Sequence, residues 1–244
     1  MAQESYGTVQ GWRNFSGLDS TAITTARATI FLDQSIQQVT RECSQLIRDE
    51  LTVRDGDTDY FFTRRRYLSD YETASPDAEI GIDDVKVYEF DSTNKILVDI
   101  SAQVNGIDGL NCYYTLNTGY PTSNRQVYTT YRIVGQPLSE LVGAGSVLQK
   151  AVYNFMTVLR LKELKLLRLK SGIISYTSGG ETVTRSEADV DTMIEQHLSK
   201  YKSLINYCKP FYGRGMRTGS GHAYRRLPRN NMHSDGVWDI INRN

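Results

Sequence analysis

From Ser146 to Lys170 apolar side chains fall on almost every side of a helix: Val147, Leu148, Val152, Phe155, Met156, Leu159, Leu164 and Leu167. A helix this apolar all round must be covered on several sides, so the fold has to supply helical neighbours for it. Ser171-Gly172 closes the stretch in the manner of an αL cap. After a short Gly179-Gly180 loop, Ser186-Glu187-Ala188-Asp189 resembles a capping box and opens another helix. That helix is amphipathic, with Val190, Met193, Ile194, His197 or Leu198, Tyr201 and Leu204-Ile205 on one face, and Pro210 marks its end.

Upstream, Ser20 to Leu51 predicts a long first helix, because Val39, Cys43, Leu46, Ile47 and Leu51 recur at three- and four-residue spacing without Pro or Gly. Its earlier half, with Ile23, Ala26, Ile30 and Phe31, is either a separate short helix or the same one continued. Between Asp55 and Gln136 the composition turns to Tyr, Val, Ile, Phe and Thr in short runs bounded by Asp, Gly, Asn and Pro, which predicts strands. The candidates are Tyr60 to Leu68, Val85 to Phe90, Ile96 to Ile100, Cys112 to Leu116 and Val127 to Val134, with a hairpin at 85–97 whose tip is Ser92 to Lys95. A small antiparallel sheet follows.

Beyond Phe211 the periodicity stops, and Gly213, Gly215, Gly219 and Gly221 alternate with Arg and polar residues up to the apolar cluster Trp238-Asp239-Ile240-Ile241. Lys209 to Asn244 holds one Lys, six Arg and only two Asp, so this stretch reads as an extended basic arm. The expected architecture is α+β: a helical core of three to four helices, an antiparallel β insertion and an extended C-terminal arm. Its segments are 1–54 (N-terminal segment and long helix), 55–136 (β-rich insertion), 137–210 (helical hairpin completing the core) and 211–244 (arm).

Charge narrows the function classes. Lys+Arg and Asp+Glu both number 28, so no overall field favours nucleic acid or an acidic membrane, and only local charge can support such a partner. No apolar run is long enough to span a membrane, and Met1 to Ser5 carries no signal-peptide pattern. Cys43, Cys112 and Cys208 are odd in number and widely spaced, which fits reduced thiols in a cytoplasm.

Enzyme signatures are absent: no Walker A loop, HExxH, GxSxG or paired Cys/His spacing occurs. Gly213 to Gly219 comes near a dinucleotide fingerprint but follows a helix terminator and not a strand. His197 lies beside the apolar face of its helix, His222 and His233 lack partners at ligand spacing, and Asp77, Glu79, Asp83 and Asp84 lack the order of a calcium loop. No catalytic residue, metal site or cofactor is expected. Arg64-Arg65-Arg66 suits either edge protection and ion pairing or a phosphate backbone, and Lys162 and Lys165 suit either a solvated or intersubunit face or a DNA-facing one.

The order of elements, together with Leu166 to Val183 running into the Ser186 to Tyr207 helix, resembles the head-to-tail adaptor (connector) proteins of tailed bacteriophages. The likeness is carried by Gly172-Ile173-Ile174-Ser175, similar to a Gly-Ile-x-Ser turn, and by Gly180-Glu181-Thr182-Val183, similar to a Gly-Glu-x-Val loop. It covers residues 140 to 210 best, and the β insertion exceeds that of minimal members.

The resemblance implies a structural protein of the virion neck, assembled in the host cytoplasm as a homo-oligomeric ring, twelvefold in known adaptors. Its partners would be the portal protein, a tail stopper or tail terminator, and DNA passing through the lumen with weak contact and no sequence preference, but no membrane. A closing ring needs two different complementary faces. The residues offered for them are Val152, Phe155, Leu159, Met193, His197 and Tyr201. Portal binding would fall to the arm through Tyr224, Arg225, Arg226, Arg229, Trp238, Ile240 and Ile241, and the DNA-facing candidates are Arg64, Arg65, Arg66, Lys162 and Lys165. Competing readings are a tail completion or baseplate subunit, a cell-wall hydrolase and a DNA-binding regulator, the last opposed by neutral charge and the lack of a recognition helix.

Overall fold

A computed structural model of the chain describes residues 5–18, 20, 22–54, 60–65, 67–72, 76–122, 125–167, 173–178 and 181–210. In chain order the elements are α1 (Val9–Ser16), α2 (Thr25–Cys43), β1 (Gln45–Leu51), β2 (Val53–Arg54), β3 (Tyr60–Phe62), β4 (Leu68–Ser69), β5 (Val85–Asp91), β6 (Ile96–Asp99), β7 (Val104–Asp108), β8 (Tyr113–Leu116), β9 (Val127–Ile133), α3 (Leu138–Leu141), α4 (Val147–Leu167), β10 (Ile173–Ser178), β11 (Glu181–Ser186) and α5 (Glu187–Cys208). The class is α+β, and the chain divides into a helical unit at 1–43, 76–78 and 139–209 and a β-rich unit at 44–72 and 79–138.

In the helical unit, α4 is sheathed as its composition demands. Leu148, Ala151, Val152, Tyr153, Met156, Val158, Leu161 and Leu164 are all buried, under α1, α2 and α5. Ser146 starts the helix, its hydroxyl accepting the Gln149 amide at 3.2 Å and its carbonyl accepting Lys150 N–H at 3.1 Å. In α2, Ala28, Phe31, Leu32, Ser35, Ile36, Val39 and Cys43 recur at helical spacing and are buried. Helix α1 is capped by Thr8, whose hydroxyl accepts Gly11 N–H at 2.9 Å, and it ends at Gly17 with φ 70°. Gly11 leaves room for Tyr153, since a Cβ there would overlap the tyrosine hydroxyl. Trp12, fully buried on the same helix, donates its indole N–H to Thr157 at 3.1 Å.

The β-rich unit holds two antiparallel sheets, one of order β1-β9-β5-β6 with β4 also beside β9, and one of order β2-β3-β8-β7. Both feed a single core of Phe61, Leu68, Val85, Val87, Ile100, Val104, Tyr114, Leu116, Val127, Tyr131 and Ile133. Buried hydroxyls are satisfied inside it: the Thr52 hydroxyl lies 2.6 Å from that of Thr129, and the Tyr114 hydroxyl lies 2.6 Å from the same group. The expected hairpin is present. Asp91 pairs with Ile96, leaving the four residues 92–95 as its tip.

Three expectations are corrected. The first helix does not run to Leu51; it stops at Cys43, and Gln45–Leu51 pairs with β9, because backbone pairing to a buried strand outweighs a helical spacing of Leu46, Ile47 and Leu51. A bulge at Arg48–Asp49, with Asp49 at φ 47°, hides the two-residue alternation of this strand. Tyr60 to Leu68 is not continuous: β3 ends at Phe62, where Thr63 N–H turns to the Cys112 carbonyl at 3.0 Å, so Arg64 and Arg65 sit in a connection. The segment joining α4 to α5 holds a hairpin, with Ile173 opposite Ser186 and Ser178 opposite Glu181. The αL cap expected at Gly172 lies outside the described residues, as does the arm from Phe211 onward.

Candidate functional site

The α4–α5 pair carries the six residues singled out for the ring interface. Val152 is fully buried, and Tyr201 is 3% exposed. Phe155 is half-buried, with its ring 5.0 Å from that of Tyr201 and tilted by 38°. Burial, followed by the Glu42 carboxylate charge, drives the Tyr201 phenol well above its ordinary pKa. Met193 packs on a cluster of Val158, Leu161, Leu164, Val190 and Ile194, and Leu159 is half-buried. His197 is half-buried, with Nδ1 2.9 Å from Asn154 Oδ1; burial, then the Lys200 charge, lowers its pKa below the ordinary 6.5. Phe155, Met193, His197 and Tyr201 are thus built into the contact between α4 and α5 of one chain.

The exposed apolar side chains of the helical unit lie elsewhere. Leu166 and Leu167, at the end of α4, are 71% and 72% exposed, and Tyr207 near the end of α5 is 57% exposed. Adjacent leucines left in water at one helix end form a sticky spot that suits a partner. Helical spacing alone did not mark their exposure, because they continue the apolar run of α4, in which Leu167 was counted.

The basic candidates divide. Lys165 is paired, its ammonium reaching Asp191 of α5 at 2.8 and 2.7 Å, while Lys162 is exposed. Arg160 and Arg27 both bind Glu163 at 2.7 Å, tying α2 to α4. In the β-rich unit, the Glu50 carboxylate accepts Arg64 N–H at 3.1 Å and the Tyr131 hydroxyl, and it lies 3.5 Å from Arg65 Nε. Burial and then the Glu50 charge raise the Tyr131 phenol well above its usual pKa, so it donates and does not ionise. Arg66 and the arm residues Tyr224, Arg225, Arg226, Arg229, Trp238, Ile240 and Ile241 lie outside the described residues.

Several of the described groups that could do chemistry have partners. Glu89, 4% exposed, accepts Thr122 N–H at 2.8 Å, the Thr122 hydroxyl at 3.2 Å and Arg125 at 2.7 Å. The Asn94 side-chain amide, followed by the Thr93 and Asn94 backbone amides, holds Asp91 below the usual carboxylate range. Beside this cluster, an open pocket of about 330 Å³ is lined by Leu51, Thr52, Arg54, Phe61, Pro121, Arg125, Gln126 and Val127. Its Phe61 ring is already stacked on Tyr114 at 5.5 Å and lies under the Arg54 guanidinium. Asp84 of the acidic stretch accepts Tyr71 N–H at 2.6 Å and Gly81 N–H at 2.8 Å, holding a turn. All three cysteines are buried, and burial pushes the Cys208 thiol up to about 12. Among the described residues no group of three or more His, Cys, Asp or Glu is placed to hold a metal ion, and no helix is long and apolar enough to cross a membrane.

Comparison with protein-family models, with curated proteins and with solved structures returns no match. The functional reading therefore rests on this chain's own residues.

Proposed function

We propose that the chain is a non-enzymatic adaptor of a tailed-phage neck, which assembles into a ring between the portal and the tail or stopper with DNA passing through its lumen. The observation that carries the reading is the α4–α5 pair: two long helices joined through the β10–β11 hairpin, at the segment whose residues resemble the adaptor family, with Leu166 and Leu167 exposed at the join. On this reading the fold is a helical core with an antiparallel β insertion and an extended C-terminal arm.

A heterologous ring requires each copy to present two unlike faces. The α4 end supplies an apolar one through Leu166 and Leu167. Helix α5 supplies a polar one, with Glu195, Gln196, Ser199 and Lys200 exposed. The neutral net charge fits a conduit, since a lumen that bound phosphates tightly would slow the passage of DNA.

The arm is the portal anchor: Trp238, Ile240 and Ile241 among Arg225, Arg226, Arg229 and Arg243 suit an extended segment that places apolar side chains in pockets of an acidic surface. Deleting residues 221–244 is expected to leave far-UV circular dichroism of the core unchanged and to abolish co-sedimentation with portal-containing heads. Docking as tight as that of the full chain would overturn the anchor. Docking onto tail tube in place of portal would favour a tail completion subunit.

A further inference from the structure

We draw no further inference here: the strongest candidate, the open pocket of the β-rich unit lined by Arg54 and Arg125, carries nothing, because Arg125 is paired with Glu89 at 2.7 Å, Arg54 lies over the Phe61 ring, and nothing in the structure shows what would occupy it.

Discussion

Lys165 of α4 gives its ammonium to both carboxylate oxygens of Asp191 on α5, at 2.8 and 2.7 Å. Three residues earlier on the same helix, Lys162 is exposed. The pair is 30% and 50% exposed at its side chains, so it contributes at most about 1 kcal/mol and its main effect is to commit the Lys165 charge within the chain. If this face of α4 lines a DNA channel, the uncommitted charge does the contacting. Lys162→Ala is expected to lower the salt slope of nonspecific DNA binding by about one, and Lys165→Ala by clearly less. Fluorescence anisotropy across a salt series checks this, and equal slopes for both variants would contradict the assignment.

Glu50 is the joint between β1 and the connection that carries Arg64 and Arg65. Its side chain is 13% exposed and serves the Tyr131 hydroxyl, the Arg64 amide and the Arg65 guanidinium together. Glu50→Ala removes a partner from all three and is expected to cost about 2–4 kcal/mol, whereas Tyr131→Phe removes one partner and costs about 1 kcal/mol. Urea denaturation of both variants is the check. A Glu50→Ala protein within about 0.5 kcal/mol of wild type would show that the network is not holding the strand.

This network also shows where the sequence stops being legible. Helices α4 and α5 could be read from composition and caps, and the β5–β6 hairpin from its alternation, because in each the local pattern and the tertiary environment agree. Strand β1 could not, since Leu46, Ile47 and Leu51 fit a helix as well as a strand, and only the partner strand, 81 residues away through the Glu50–Tyr131 bond, decides between them. Helix α1 was hidden by its short length and by Gly11, which is present because Tyr153 needs the space. Strand β7 contains Asn105-Gly106, residues that read as a turn. The candidate assembly site was half legible. Its helices were correctly placed, but spacing selected side chains such as Val152 that α4 buries, and did not single out Leu166 and Leu167 as exposed, since their exposure depends on where the neighbouring helices end.

His197 links α4 and α5 through Asn154 and is expected to make their packing pH-sensitive. Its folded pKa lies below the ordinary 6.5 because burial, and then Lys200, disfavour the imidazolium. The unfolded chain therefore takes up the proton first as pH falls, and the stability contributed by the neutral ring is present above about pH 6.5 and lost below it. The wild-type urea midpoint is expected to drop between about pH 7.5 and about pH 5.5 by more than that of His197→Gln. Identical drops would show that the ring's burial does not couple to stability.

The central claim is that this chain closes into a ring on a portal, and the most direct measurement is electron-microscopy class averaging of the purified full-length protein mixed with isolated portal. The account predicts closed rings coaxial with the portal, twelvefold as the adaptor resemblance implies, and their loss when Leu166 and Leu167 are both changed to Asp in a protein whose circular dichroism is otherwise unaltered. Particles that remain monomers or two-fold dimers in the presence of portal, or bare portals with no added density, would contradict it.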